Sequence, residues 1–207
     1  MTSTDRTWAS PGSPSPTRSP RELACRLLGE IDTLDFAIYD VLAHTPTPTL
    51  DVPMTWISNA ANYSRISIAI ASALAVAGGK RGRLAAVRGL AAVGASSLSA
   101  DFVAKHLFPR SRPDRQTGVA GRQARMPKSS SFPSGHTASA FAFAYAVAAD
   151  VPQLSLPLFA LATAVGYSRI HVGVHYPADV VGGGLLGLAV GSGLQLAFHR
   201  LDQRKGK

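Results

Sequence analysis

Apolar positions along the chain gather into five long stretches parted by short polar or basic breaks, with one segment of different character ahead of them. Residues 58–79, with the run ISIAIASALAVAGG, and residues 84–104, rich in alanine, leucine and valine, predict two helices with little polar surface. Arg65 sits near one end of the first, where its long stem reaches an interface. Lys80, Arg81, Arg83 and Arg88 mark a turn between the two, Asp101 and Lys105 form an i,i+4 pair late in the second, and Pro109 and Pro113 stop it. Beyond a polar basic loop at 114–131, helices are expected at about 135–149, 154–170 and 178–198, each near the roughly 17–25 residues that cross a bilayer.

The segment from Glu22 to His44 differs. Leu23, Leu27, Ile31, Leu34, Ile38, Val41 and Leu42 recur at helical spacing, yet Glu30, Asp32, Asp35 and Asp40 break any continuous apolar surface, so it reads as a helix lying on a surface rather than spanning. Residues 1–20, dominated by Ser, Thr and Pro, have the composition of a flexible tail, and no apolar run follows their arginines to make a secretory signal. The expected architecture is all-α: a polytopic membrane helix bundle of about five spans plus an N-terminal interfacial helix. One membrane-embedded domain over 21–200 is expected between a disordered tail at 1–20 and a basic tail at 201–207.

Composition adjusts this picture in three ways. Of 207 residues, 46% are hydrophobic, 16% are charged and 19 are glycine, which suits close helix packing in lipid, although a mean hydropathy of +0.11 also admits a small soluble bundle. The net charge of +9 fits an anionic membrane surface, a phosphorylated substrate or nucleic acid, but the chain has no zinc spacing and no basic helix interleaved with aromatics, so no nucleic-acid partner is read. Cys25 is alone, excluding an internal disulfide. With lysine and arginine on the cytoplasmic side, 80–83 and the C-terminus lie inside and the loops 105–133 and 169–177 outside; the arginines of the N-terminal tail oppose this unless a further span lies within 22–50.

Those outward loops carry three chemical clusters. Lys105 and Arg112 are separated by six residues and flanked by Pro109 and Pro113; alone, they would make a juxtamembrane basic patch. Pro133, Ser134, Gly135 and His136 open the helix at 135, with Ser134 placed to cap it, the next amides left free for an anion, and Gly135 allowing close approach. In the third cluster, from Ser168 to Asp179, Pro177 suits the first position of the last helix, which puts His175 just ahead of it and Asp179 in its first turn, within reach of an imidazole nitrogen. Each has an ordinary reading as patch, cap or loop. Together, Lys105, Arg112 and Arg169 as cations, the 134–136 amides as donors and two histidines on one face form a phosphoryl-transfer site.

In these residues the chain resembles the type 2 phosphatidic acid phosphatase superfamily, which includes lipid phosphate phosphatases, bacterial undecaprenyl-diphosphate phosphatases and vanadium haloperoxidases. The signature K-x6-RP, PSGH and SR-x5-H-x3-D stands here as Lys105…Arg112-Pro113, Pro133-Ser134-Gly135-His136 and Ser168-Arg169…His175…Asp179. The resemblance implies that His175 attacks phosphorus to form a phosphohistidine, that Asp179 holds it, and that His136 protonates the leaving lipid oxygen and then activates water. Lys105, Arg112, Arg169 and the Ser134/Gly135 turn would hold the phosphate oxygens, with no metal or other cofactor. It further implies a multi-pass protein of the cell membrane, active at the extracytoplasmic face on a lipid phosphate or diphosphate: phosphatidate, phosphatidylglycerophosphate or a polyprenyl (di)phosphate. His171 lies outside the signature and reads as a loop or packing residue. Membrane members commonly carry six spans, against the five counted here.

Two other readings fit the same pocket. A haloperoxidase-like oxidation with bound vanadate is opposed by the short, membrane-embedded chain, and a non-catalytic lipid-phosphate binder by the complete motif set. Arg115, Arg122, Arg125 and Lys128 in the 114–131 loop add charge that would favour a diphosphate or anionic glycolipid, or form a solvated face.

Overall fold

The structure, a computed structural model, describes residues 19–107, 109–114, 126–127 and 129–205, without the side chains of 24, 25, 28, 103–105 and 205. Most of the expected N-terminal tail, the loop residues Arg115, Arg122, Arg125 and Lys128, and the side chains of Cys25 and Lys105 therefore lie outside the described residues. Every regular element among the described residues is helical. The chain divides into two units after Leu34.

Up to Leu34 the described chain is the first part of α1 (Pro20–His44). A reciprocal cap opens it: Ser19 Oγ accepts the Glu22 N–H at 3.3 Å and Glu22 Oε2 accepts the Ser19 N–H at 3.0 Å, while Pro20 takes the position where a missing N–H costs nothing.

The second unit holds the rest of α1 and then α2 (Pro48–Ala60), α3 (Arg65–Ala77), α4 (Gly79–Leu98), α5 (Lys105–Leu107), α6 (Gly135–Asp150), α7 (Ser155–His171) and α8 (Pro177–Lys205). Helix α6 is the hub, packed on α8, α4 and α7. Its buried positions include four alanines (Ala138, Ala142, Ala144, Ala146), and α8 meets it with glycines four residues apart, so the two backbones approach closely. A Cβ on Gly183 would stand 2.5 Å from the Ser134 carbonyl oxygen, and one on Gly187 closer still to that of Ala138. Gly187→Leu is therefore expected to force α8 off α6 and lower the melting temperature in detergent by roughly 5–10 °C or more. Gly94→Leu, where an added Cβ meets nothing within 4 Å, should leave it nearly unchanged in the same assay.

Three details differ from expectation. The stretch 58–79 is not one helix: Tyr63 and Ser64 take left-handed φ of 57° and 55°, and α2 meets the 62–77 segment at a bend of 68°. Lys80, Arg81 and Arg83 do not make the turn before α4; Gly79, at φ 59°, makes it, and the basic residues fill the start of the helix, for which their straight side chains are well suited. Helix α8 runs past residue 198 to Lys205 because buried Arg88 holds its far end, paired with Asp150 at 2.7 Å and with Asp202, and lying over the Phe198 ring. Helix α4 gives way to a wider π turn at Ser99–Ala104 before α5 ends ahead of Pro109 as expected. Among the described residues α8 alone is long and apolar enough to cross a membrane by itself; the bent pair of α2 with 62–77 passes the same test if it forms one broken span.

Candidate active site

Helix α6 begins, α7 ends and α8 begins at one end of the bundle, and the signature segments are tied together there. Ser134 caps α6: its hydroxyl accepts the Thr137 N–H at 3.5 Å and the Thr137 O–H at 2.9 Å. Its own N–H donates to the Asp179 carbonyl at 2.9 Å, which locks the start of α6 to the first turn of α8. After α7, Gly173 at φ 68° turns the chain so that the N–H groups of Val174 and His175 both reach the Arg169 carbonyl, at 3.1 and 3.2 Å. The Arg112 segment joins from the side. Ser131 N–H donates to the Arg110 carbonyl at 2.9 Å, and Arg112 donates from Nε to the Ser129 carbonyl, from Nη2 to the Ser130 carbonyl and from Nη1 to the Val174 carbonyl, at 2.9, 3.1 and 2.8 Å.

His175 sits at the centre, almost fully buried. Its Nδ1 is 3.4 Å from Asp179 Oδ2, which also accepts the Tyr176 N–H at 2.9 Å. A carboxylate against Nδ1 assigns the proton to that nitrogen and leaves the lone pair on Nε2. Nε2 faces the cavity, with Arg112 Nη1 at 3.3 Å. Burial pushes the imidazole down from the usual 6.5 to about 4; the hydrogen bond to Asp179 opposes this and the charges of Arg112 and Arg169 add to it, so the ring is neutral at physiological pH.

That depression fixes a sign for stability. The unfolded chain takes up a proton at about 6.5 while the folded one resists to about 4, so stability present above pH 6.5 is lost as pH falls through that window, by about 3 kcal/mol in full. His175→Gln removes the titration, and its melting temperature in detergent should fall less than that of the wild type between pH 7 and pH 4.5. Parallel curves for the two proteins would contradict the assignment.

A cavity of about 360 Å³ opens on Nε2. Of the residues expected at the site, Arg112, Gly135, His136 and His175 line it, while Ser134, Arg169 and Asp179 stand behind its wall and the Lys105 side chain lies outside the described residues. The rest of the lining is mixed: Ile66, Ile70, Phe143, Leu158 and Val165 from α3, α6 and α7 give apolar surface, and Ser67, Ser97, Asp101 and Ser139 add polar groups. His136 Nε2 lies 3.1 Å from Asn62 Oδ1, in the break between α2 and α3. Arg169 is buried, its Nη1 donating to Ser58 Oγ at 2.6 Å and to the Ser58 carbonyl at 3.3 Å. His171 Nε2 pairs with Asp51 Oδ1 at 2.9 Å and ties α7 to α2, a packing role.

Four residues of this network were not singled out from the sequence as belonging to the site: Asn62, Ser58, Arg110 and Asp35. Asp35 corrects its earlier reading as a break in an apolar surface: it is buried, and its Oδ1 accepts the Ala178 N–H at 2.7 Å.

In this all-helical bundle two histidines and the Arg112 guanidinium meet at one cavity, with the buried Asp179 carboxylate and Arg169 guanidinium outside its lining. The chain belongs to the PAP2 superfamily, whose family model matches residues 85–202. It is similar to undecaprenyl-diphosphatase BcrC of Bacillus subtilis (strain 168), 39% identical over 61 residues, 30% of this chain and 32% of that protein. It is also similar to the decaprenylphosphoryl-5-phosphoribose phosphatase of Mycobacterium tuberculosis (strain ATCC 25618 / H37Rv), 37% identical over 106 residues, 48% of this chain and 55% of that one. The chain thus matches from about a third to just over half the length of these relatives. The crystal structure of a transmembrane PAP2 type phosphatidylglycerolphosphate phosphatase from Bacillus subtilis resembles it with a TM-score of 0.64 at 25% identity, over 83% of this chain and 87% of that one. The fold is therefore the all-α membrane helix bundle expected from the sequence.

Proposed function

We propose that this protein is an integral membrane phosphatase that hydrolyses a lipid phosphate or lipid diphosphate through a phosphohistidine at His175. The observation that carries the reading is the orientation of His175: Nδ1 on Asp179, Nε2 towards the cavity with Arg112 beside it. Nε2 attacks phosphorus, the bond from phosphorus to the leaving oxygen breaks with its electron pair staying on that oxygen, and His136 supplies the proton. Water then gives a proton to His136 and attacks the phosphohistidine, releasing inorganic phosphate and neutral His175. Lys105, Arg112, and Arg169 from behind the wall neutralise the phosphate oxygens, joined by the amides that open α6 at Gly135 under the Ser134 cap. Asp179 holds the ring and balances the positive charge it gains.

The apolar part of the cavity suits a hydrocarbon chain better than a free sugar phosphate or nucleotide. About five spans, an interfacial N-terminal helix, one phosphatase domain over 21–200 and an extracytoplasmic site complete the reading; the basic start of α4 and the basic C-terminus, both remote from the site end, support that orientation.

The test is phosphate release by the purified full chain in detergent from phosphatidate, phosphatidylglycerophosphate, undecaprenyl diphosphate and a polyprenyl monophosphate. Release from at least one is expected, with an acid-labile, base-stable phosphoenzyme on trapping. Protein that binds these lipids and never turns them over would return the non-catalytic reading.

A further inference from the structure

Behind Asp179 the structure continues into a second charged layer. Asp179 Oδ1 accepts from Arg110 Nη1 at 2.9 Å, while Oδ2 serves Tyr176 N–H and His175. Arg110 is itself fixed on its other side: its Nη2 is 2.7 Å from Asp35 Oδ2, and its guanidinium lies over the rings of Tyr176 and Phe36, at 4.6 and 5.8 Å from their centroids. Tyr176 is in turn packed edge-on by Phe36 and Tyr39. Asp35 Oδ1 receives the N–H of Ala178, in the first turn that carries Asp179. The backbone of Arg110 also joins the loop before α6, receiving the Ser131 N–H and donating to Ser130 Oγ at 2.8 Å. Asp35 and Asp179 are both nearly inaccessible, so the orientation of each is set by these partners rather than by water.

We propose that Asp35 and Arg110 are positioning residues that act through Asp179 on His175, making the second half of α1 part of the catalytic apparatus; this rests on the reading of His175 as the nucleophile. Charge counting gives the reason. Two carboxylates on one guanidinium leave a net charge of about −1 beside the ring, and when His175 takes the phosphoryl group its imidazole becomes cationic and the cluster becomes neutral. Without the charge of Asp35, Arg110 is balanced by Asp179 alone, and Asp179 has less to offer the imidazolium. Without Arg110, Asp179 loses the donor on Oδ1 that holds its plane towards Nδ1. Neither residue touches the cavity, so substrate binding does not depend on them.

The experiment uses the purified full chain with whichever lipid phosphate the wild type turns over fastest. Turnover by the wild type tests the underlying reading, and the variants test this one. Asp35→Asn keeps an oxygen for the Ala178 N–H but sets an amide NH2 against Arg110 Nη2, so Arg110 loses both the charge and the acceptor on that side. It is expected to lower kcat roughly 10- to 100-fold, the range that outer partners of a ligating histidine carry in metal sites, with KM changed less than about threefold. Orthovanadate, which bonds to the attacking nitrogen, should inhibit the variant more weakly by a similar factor, while inhibition by inorganic phosphate stays the same. Arg110→Lys should fall between wild type and Arg110→Gln, and the Asp35→Asn/Arg110→Gln double variant should be no slower than Arg110→Gln alone, since Asp35 acts through Arg110. Wild-type kcat in Asp35→Asn, equal weakening of vanadate and phosphate inhibition, or additive losses in the double variant would each overturn the proposal.

Discussion

His175→Gln is expected to lower turnover of every lipid phosphate by about four orders of magnitude or more and to abolish the phosphoenzyme, because no other side chain among the described residues offers a lone pair at the position of Nε2. Glutamine is a demanding substitute. Its amide can still donate to Asp179 Oδ2, so the buried carboxylate keeps a partner and the start of α8 keeps its geometry. Arg112 remains fixed by the carbonyls of Ser129, Ser130 and Val174, so the phosphate site persists and lipid affinity should stay within about tenfold of the wild type. The measurement is therefore a pair: single-turnover phosphate release and equilibrium binding on the same preparation. A variant that retains binding and loses release places the chemistry on the ring. A variant that still releases phosphate at the wild-type rate removes the phosphohistidine.

The signature residues were legible because their constraints are local. Pro177 at the first position of α8 and Asp179 two residues later bring a carboxylate to His175 within a single turn, and Ser134 caps α6 through a bond to Thr137, three residues on. The last three helices were legible for a related reason, since each is an apolar run closed by proline or a polar break, and their starts fall within two residues of expectation. What could not be read depends on distant pairing. The bend between α2 and α3 has no proline or glycine to announce it; Tyr63 and Ser64, residue types that seldom do so, adopt left-handed conformations there. Asn62 gains its meaning from His136, 74 positions away, and Arg169 turned out to rest on Ser58, 111 positions away, rather than in the open cavity. Asp35 is the clearest case. In an amphipathic pattern an aspartate every few residues marks the wet face, and nothing within α1 distinguishes the one that Arg110 and Ala178 bury.

His136 gives the second large effect, and its size should depend on the leaving group. The ring lies in the first turn of α6 with Nε2 held by Asn62, and it lines the same cavity as His175. A lipid alkoxide is a poor leaving group and needs a proton as the phosphorus bond breaks; a nitrophenolate does not, and a lipid phosphate leaving from a diphosphate needs one far less than the alkoxide does. His136→Ala is expected to slow hydrolysis of a lipid monophosphate about 1,000-fold, within the range that a positioned general acid contributes. With p-nitrophenyl phosphate the first step should survive and the second should not, because no group remains to take the proton from water. Rapid mixing should then show a burst of up to one nitrophenolate per protein followed by a slow steady rate, with His175 trapped as phosphohistidine. A smaller loss on undecaprenyl diphosphate than on phosphatidate follows from the same argument. Equal losses on all substrates without a burst would mean that His136 shapes the cavity and does not move the proton.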